Sequence, residues 1–161
     1  MSIIASLGGE ELSDVSALGP IVQVGMVVKD IEEAARRWAA LLGSPMPEVI
    51  VTAPWEQAHT EYRGAPTPAR AKLAFFHLGQ VDLELIEPID GPSTWQDHLQ
   101  AHGESIHHVA FRVQGMEEVI AALEAKGLSL LQRGDYTGGR YAYLEDSGAI
   151  IELLEDLPTS P

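Results

Sequence analysis

The chain has 161 residues, and its 45% apolar content supports a sizeable core and excludes global disorder. Lys and Arg total 10 against 24 for Asp and Glu; a net charge of −14 repels phosphate backbones and excludes nucleic acid as the expected partner. There is no cysteine, so disulfides and thiolate chemistry are excluded, and no apolar run approaches the roughly 20 residues that span a bilayer.

Residues 1–18 are polar and Gly-rich without periodicity and read as a flexible N-terminal arm. They lack the basic start and long apolar stretch of a signal peptide, which makes the cytoplasm the expected location. Pro20 opens the apolar run IVQVGMVV, a buried strand. Asp30 is a helix N-cap, with Glu32 and Glu33 in the first turn. Ile31, Ala34, Ala35, Trp38, Leu41 and Leu42 form the inward face of a helix that stops at Gly43. Residues 44–56 carry prolines and read as a loop. A strand over 57–63 follows, then a turn (64–68) and strands 70–78 and 81–87 joined at Gly79-Gln80. Ser93 caps a linking helix over 93–102. The second half runs as strand 106–113, helix 116–126 ending at Gly127, and strands 128–133, 140–144 and 149–154, with Gly138-Gly139-Arg140 as a hairpin turn.

The two halves repeat each other. QVGMVVKDIEEAA (23–35) matches HVAFRVQGMEEVI (108–120) at an offset of 85, and FFHLGQVDLELIEP (75–88) matches YLEDSGAIIELLED (143–156) at an offset of 68. Each half is βαβββ. A single unit leaves one sheet face bare, and two units side by side close a trough with the helices outside. The expected fold is therefore α+β: two tandem βαβββ modules (20–88 and 105–156) within one domain over 19–157, forming a curved mixed-sheet trough. Period 2 puts Leu83 and Leu85 on one face of their strand and Glu84 on the other. Ile151 and Leu153 stand to Glu152 in the same way. If the helices cover the leucine faces, both glutamates point into the trough.

The matched positions place Gln23 opposite His108 and Glu84 opposite Glu152. Each residue alone has a plain structural explanation, such as a solvent-facing glutamate or a satisfied core histidine. The fourfold coincidence favours one metal centre shared by both halves. An imidazole, two carboxylates and an amide oxygen suit one divalent ion such as Zn, Ni, Co, Mn or Mg. On an octahedral ion they leave two cis positions open, which points to catalysis. Tyr62, Trp55, Phe76 and Tyr143 read first as core and second as cavity lining. Arg63, Arg70, Arg112, Arg133 and Arg140 are the local cations available to an anionic substrate.

GESIHHVAFRV (103–113), VDLELIEP (81–88) and AIIELLE (149–155) resemble the vicinal oxygen chelate superfamily, which includes glyoxalase I, methylmalonyl-CoA epimerase, extradiol dioxygenases and bleomycin-resistance proteins. The resemblance runs over residues 20–156. It implies paired βαβββ modules, metal ligands at Gln23, Glu84, His108 and Glu152, and assembly as a homodimer. The ligand set is that of one glyoxalase I branch, while the body of the sequence is more similar to the epimerase branch. The glutathione-clamping residues of that glyoxalase branch are replaced here by Val27, Pro88 and Glu104, and Gln23 breaks the two-His iron site of the dioxygenases.

The resemblance implies proton transfer next to a carbonyl of a small oxygen-chelating substrate, a 2-oxo acid or acyl-CoA. The expected base is Glu152, with Glu84 as its opposite-face partner. Glu61 is a third candidate, on the strand that carries a second acid in epimerases, and His59 shares its face. Two other readings stay open: a glyoxalase I-like lyase, and a non-catalytic protein that binds a small molecule or drug in the trough.

Overall fold

The computed structural model describes residues 18–158. The expected N-terminal arm thus lies outside the described residues, Leu18 excepted.

The apolar run after Pro20 forms β1 (Ile21–Val27), and α1 (Ile31–Leu42) follows at once. Asp30 starts the helix by accepting from the Glu33 N–H at 3.0 Å. A second carboxylate reaches the same end: Glu87 accepts from the Ile31 N–H at 2.8 Å and is held by Lys72 at 3.0 Å. Gly43, at φ 63°, closes the helix in left-handed backbone.

The next segment departs from the expected single strand over 57–63. Within the expected loop, β2 (Ile50–Val51) pairs with β5 (Arg70–His77). Trp55–Ala58 then makes one helical turn, α2, closed by the His59 N–H on the Trp55 carbonyl at 2.8 Å. His59 (φ 46°) and Arg63 (φ 51°) adopt left-handed backbone, which breaks any continuous strand. The short β3 (Glu61–Tyr62) and β4 (Ala65–Pro66) form a hairpin that crosses to the second half and pairs with β8 (Ser129–Tyr136).

The rest follows the expected order: β6 (Asp82–Ile89), α3 (Thr94–His102), β7 (Ser105–Arg112), α4 (Met116–Glu124), then β8, β9 (Gly139–Glu145) and β10 (Ile150–Asp156). The second helix repeats the capping device of the first. Gly115 has no side chain to cap with, and Glu155 accepts instead from the Gly115 and Met116 N–H groups at 2.6 and 3.3 Å. Arg140 holds Glu155 at 2.6 Å, so it is a strand residue on β9 and not the expected turn arginine. β8 runs on through Gly134, where the Tyr141 ring fills the side-chain space; a Cβ would lie 2.9 Å from Tyr141 Cε1.

Among the described residues the strands form one mixed sheet in the order β2-β5-β6-β1-β7-β10-β9-β8-β3-β4. β1 and β7 pair antiparallel at the centre, and β6 and β10 flank them in parallel. The curved sheet forms the trough within one chain. Ile31, Ala34 and Ala35 of α1 pack on Leu83 and Leu85, and Met116, Ile120 and Leu123 of α4 pack on Leu153. These outer cores leave Glu84 and Glu152 on the inner face. The linking helix α3 packs on the inner side, where Trp95 meets Val27, Ala71, Ile86 and Tyr143. No helix among the described residues is long and apolar enough to cross a membrane.

Candidate metal centre

Four neighbouring strands each contribute one side chain. Gln23 comes from β1, His108 from β7, Glu84 from β6 and Glu152 from β10. The two carboxylates arrive from opposite flanks of the central β1–β7 pair. Exposures are 8% for Gln23, 6% for Glu84, 2% for His108 and 4% for Glu152, so bulk water solvates none of them well.

The polar tips converge. His108 Nε2 lies 2.9 Å from Glu152 Oε2, 3.5 Å from Glu84 Oε2 and 3.0 Å from the Gln23 amide oxygen. The same inward-facing amide position also lies 3.1 Å from Glu84 Oε2 and 2.9 Å from Glu152 Oε2, so turning the amide places an NH2 within reach of both carboxylates and the imidazole. Ligands about 2.1 Å from an ion and at right angles are about 3.0 Å apart, which is the spacing found here. With the amide oxygen inward, three oxygens and one imidazole nitrogen face one another, an arrangement that a cation satisfies. A proton on His108 Nε2, or an amide turned with its NH2 inward, satisfies the same point without a cation. Burial, and then the charge of Glu152, pushes the Glu84 carboxyl well above the usual carboxylate range. Two buried carboxylates at one point are costly unless a proton or a metal compensates. The donor set therefore fits a divalent ion.

Two residues that build this arrangement escape a reading of the sequence. Gly25 faces His108 across the β1–β7 pair, and a Cβ there would lie 2.0 Å from His108 Cε1. Its only signal is a glycine amid an apolar strand, two residues after Gln23. His107 is the other. Gly25 pairs with His108 and Met26 with Ile106, so His107 is the extra residue of a β-bulge. Strict alternation would turn it to the opposite face from His108. The bulge instead brings His107 Nδ1 to 2.9 Å from His108 Nδ1, with His107 3% exposed. Burial, with His108 and His98 adding, pushes the His107 imidazole well below its ordinary range.

Tyr143 walls the inner end of the centre. It pairs with Glu152 across β9–β10, lies 5.1 Å from the His108 ring and accepts from Trp95 Nε1 at 3.0 Å. Burial, with the charges of Glu152 and Glu84, raises its phenol well above the ordinary value. An open cleft of about 720 Å³ lies along β7 and the β9–β10 turn, bordered by His98, His102, His107, His108, Glu145 and Asp146. It reaches the β7 strand but not His108 Nε2, because the His108 side chain is 0% exposed.

The structure does not bring Glu61 to the centre. Glu61 pairs with Arg133, which reaches Glu117 of α4 on the outer side, whereas the next strand position holds Gln132, bonded to Tyr141 within the trough. His59 is exposed and meets Asp135 at 3.0 Å. Tyr62 bonds Asp97, Phe76 sits in the α1 core, and Trp55 is exposed. Each of the five local arginines has an acidic partner: Arg63 has Asp97, Arg70 Asp90, Arg112 Asp156, Arg133 Glu117 and Arg140 Glu155.

Comparison with known proteins agrees with this architecture. The uncharacterized protein YqjC of Bacillus subtilis is 33% identical over 92 residues, which cover 53% of this chain and 66% of that relative, just under two thirds of its length. The mitochondrial methylmalonyl-CoA epimerase of Mus musculus is 24% identical over 153 residues, or 91% of this chain and 78% of the relative. The crystal structure of methylmalonyl-CoA epimerase from Mycobacterium tuberculosis superposes with a TM-score of 0.59 at 22% identity, covering 86% of this chain and 88% of that one. This likeness bears on the fold. Residues 22–143 match the sequence pattern that defines a family, and with it the chain belongs to the Glyoxalase/Bleomycin resistance protein/Dioxygenase superfamily.

Proposed function

We propose that the protein is a divalent-metal-dependent epimerase or isomerase that removes a proton beside the carbonyl of a small oxygen-chelating substrate, a 2-oxo acid or an acyl-CoA thioester. The observation that carries this reading is the convergence of Gln23, Glu84, His108 and Glu152 on one buried point. These four would hold the ion, which when bound supplies Lewis-acid stabilisation for the negative charge that develops on the carbonyl oxygen.

The chain's own residues handle the proton. The Glu152 carboxylate takes it from the carbon beside the carbonyl; the C–H electron pair becomes a C–C π bond, and the carbonyl π pair moves onto oxygen. Glu84 stands on the opposite flank of the β1–β7 pair. In its acid form it returns a proton to the other face of the same carbon, giving the epimer, or to a neighbouring atom, giving an isomer. Tyr143 and Trp95 exclude water from the inner end. The acyl-CoA class has support from the methylmalonyl-CoA epimerase of Mus musculus among the relatives.

The glyoxalase I-like alternative lacks a clamp for an anionic tripeptide. Val27 is buried in the inner core, and Glu104 is an acid engaged by the Lys29 N–H at 2.9 Å and by Arg37 at 3.8 Å. Little turnover of methylglyoxal with glutathione is expected.

The test is a deuterium-exchange screen in heavy water, using metal-loaded protein with 2-oxo acids and acyl-CoA thioesters. Metal-dependent exchange at one carbon, lost in Glu152→Gln, supports the reading. No exchange with any member of either class contradicts it and leaves the non-catalytic binder. Robust methylglyoxal–glutathione turnover replaces it with the lyase.

A further inference from the structure

We propose that His107 and Thr94 are positioning residues for the metal centre, holding the His108 imidazole in its one metal-binding tautomer through a hydrogen-bonded chain to the linking helix. The inference rests on the metal-centre reading above. It concerns what stands behind the ligand.

A metal ligand at His108 Nε2 must present a lone pair there, so the ring proton sits on Nδ1. Nδ1 lies 2.9 Å from His107 Nδ1, which is therefore the acceptor. A neutral His107 then carries its own proton on Nε2, 2.5 Å from Thr94 Oγ1, to which it donates. Each bond in the loaded site thus has a single sense. The reverse sense would place the His108 proton on Nε2, between the carboxylates, where it blocks coordination. Ligating histidines commonly donate their second ring N–H to a fixed acceptor, which orients the ring and raises its basicity. Here that acceptor is another imidazole.

The chain is anchored at both ends. The bulge re-aims His107 toward His108, as described, and Tyr143 packs edge-on against the His107 ring at 5.0 Å and 82°. At the far end, the Thr94 N–H donates to Gln132 Oε1 at 2.9 Å, and Gln132 Nε2 donates to the Tyr141 hydroxyl at 3.0 Å. Ser93 caps the same helix by accepting from the Gln96 N–H at 3.1 Å. The first turn of α3 is thereby tied to β8 and β9, and Thr94 has little freedom to move. The linking helix joins the two modules and also backs the one imidazole of the centre.

A purely space-filling role for His107 predicts different behaviour, and two substitutions separate the roles. His107→Leu keeps apolar bulk and removes the acceptor. His107→Asn keeps a polar oxygen near the place of Nδ1. Zn²⁺ affinity is read by competition with a chromophoric chelator, alongside thermal melts of the metal-free proteins. His107→Leu should weaken Zn²⁺ binding about 10–100-fold, while His107→Asn recovers most of that loss. Unchanged affinity in His107→Leu overturns the inference, as does an equal loss in both variants. If His107→Leu fails to fold, nitrogen NMR of the zinc-loaded wild type decides. The expected spectrum has the His108 proton on Nδ1 and the His107 proton on Nε2; the opposite placement overturns the inference. A wild type that binds no Zn²⁺ overturns both this inference and the metal-centre reading, whereas one that binds Zn²⁺ only as well as His107→Leu does overturns the positioning role alone.

Discussion

The His108 imidazole occupies the space that a side chain at position 25 would need. A Cβ on Gly25 would lie 2.0 Å from His108 Cε1 and 2.5 Å from both ring nitrogens. The two central strands can thus carry an imidazole across their pairing line only because one partner is glycine. Gly25→Ala should evict the ring, and metal uptake should fall below detection. The overpacked core should lose about 1–3 kcal/mol. Zn²⁺ titration with a denaturant melt measures both, and wild-type uptake in Gly25→Ala would show that His108 is not held in this position.

Glu84 makes the metal-free protein pH-sensitive in a defined direction. Its folded-state pKa lies above the unfolded value because of burial and the neighbouring Glu152 charge. The folded state therefore binds the proton more tightly. The stabilisation is fully present below the ordinary carboxylate range and is lost as pH rises through the elevated value. The depressed His107 imidazole contributes the opposite slope near its ordinary range, so Glu84 is read against Glu84→Gln: as pH rises from about 5 to about 8, metal-stripped wild type should lose stability relative to that variant, and saturating Zn²⁺ should progressively offset the loss. Paired melting curves across this range provide the check; a difference that does not change with pH would contradict the assignment.

The same pair predicts a conflict between stability and binding. Glu84→Gln removes the cost of burying an ionisable carboxyl beside Glu152 and keeps the shape of the side chain. The metal-free variant should gain about 1–2 kcal/mol at neutral pH while Zn²⁺ affinity collapses. Denaturation with and without Zn²⁺ reads both signs. Loss of stability in the metal-free variant would mean that the Glu84 charge is already compensated by another group.

Glu87 and Glu155 cap α1 and α4 from equivalent strands, but their helices differ. α1 also has Asp30 as a local cap, whereas Gly115 offers α4 no side chain. Glu155→Ala should cost about 1–2 kcal/mol, and Glu87→Ala less, because one cap remains. Urea unfolding of the two variants tests this order, and equal losses would deny the Asp30 contribution.

Much of this architecture is legible in the sequence because the duplication is. Glu84 and Glu152 lie in strands with clean alternation, so the leucines beside them reveal which way they point. The offset of 68 also relates Lys72 to Arg140 and Glu87 to Glu155, a capping pair hidden among surface charges. Other features depend on pairing geometry that alternation does not record. His107 turns beside His108 only because of a bulge, and Gly25 gains its role only once β1 lies against β7. The crossing of residues 55–66 to β8 rests on left-handed backbone at His59 and Arg63, neither of them the glycine that ordinarily marks that conformation. That crossing is what leaves Glu61 on the outer face, away from the centre.

The most direct test of the metal centre is metal stoichiometry. Protein purified without chelator, then equilibrated with Zn²⁺, Ni²⁺, Co²⁺ or Mn²⁺ and freed of excess, is assayed by elemental analysis beside His108→Ala and Glu152→Ala. One equivalent of a divalent ion in the wild type and none in folded variants is the predicted result. Less than about a tenth of an equivalent in the wild type with every ion, or undiminished uptake in the variants, would contradict a centre built from Gln23, Glu84, His108 and Glu152.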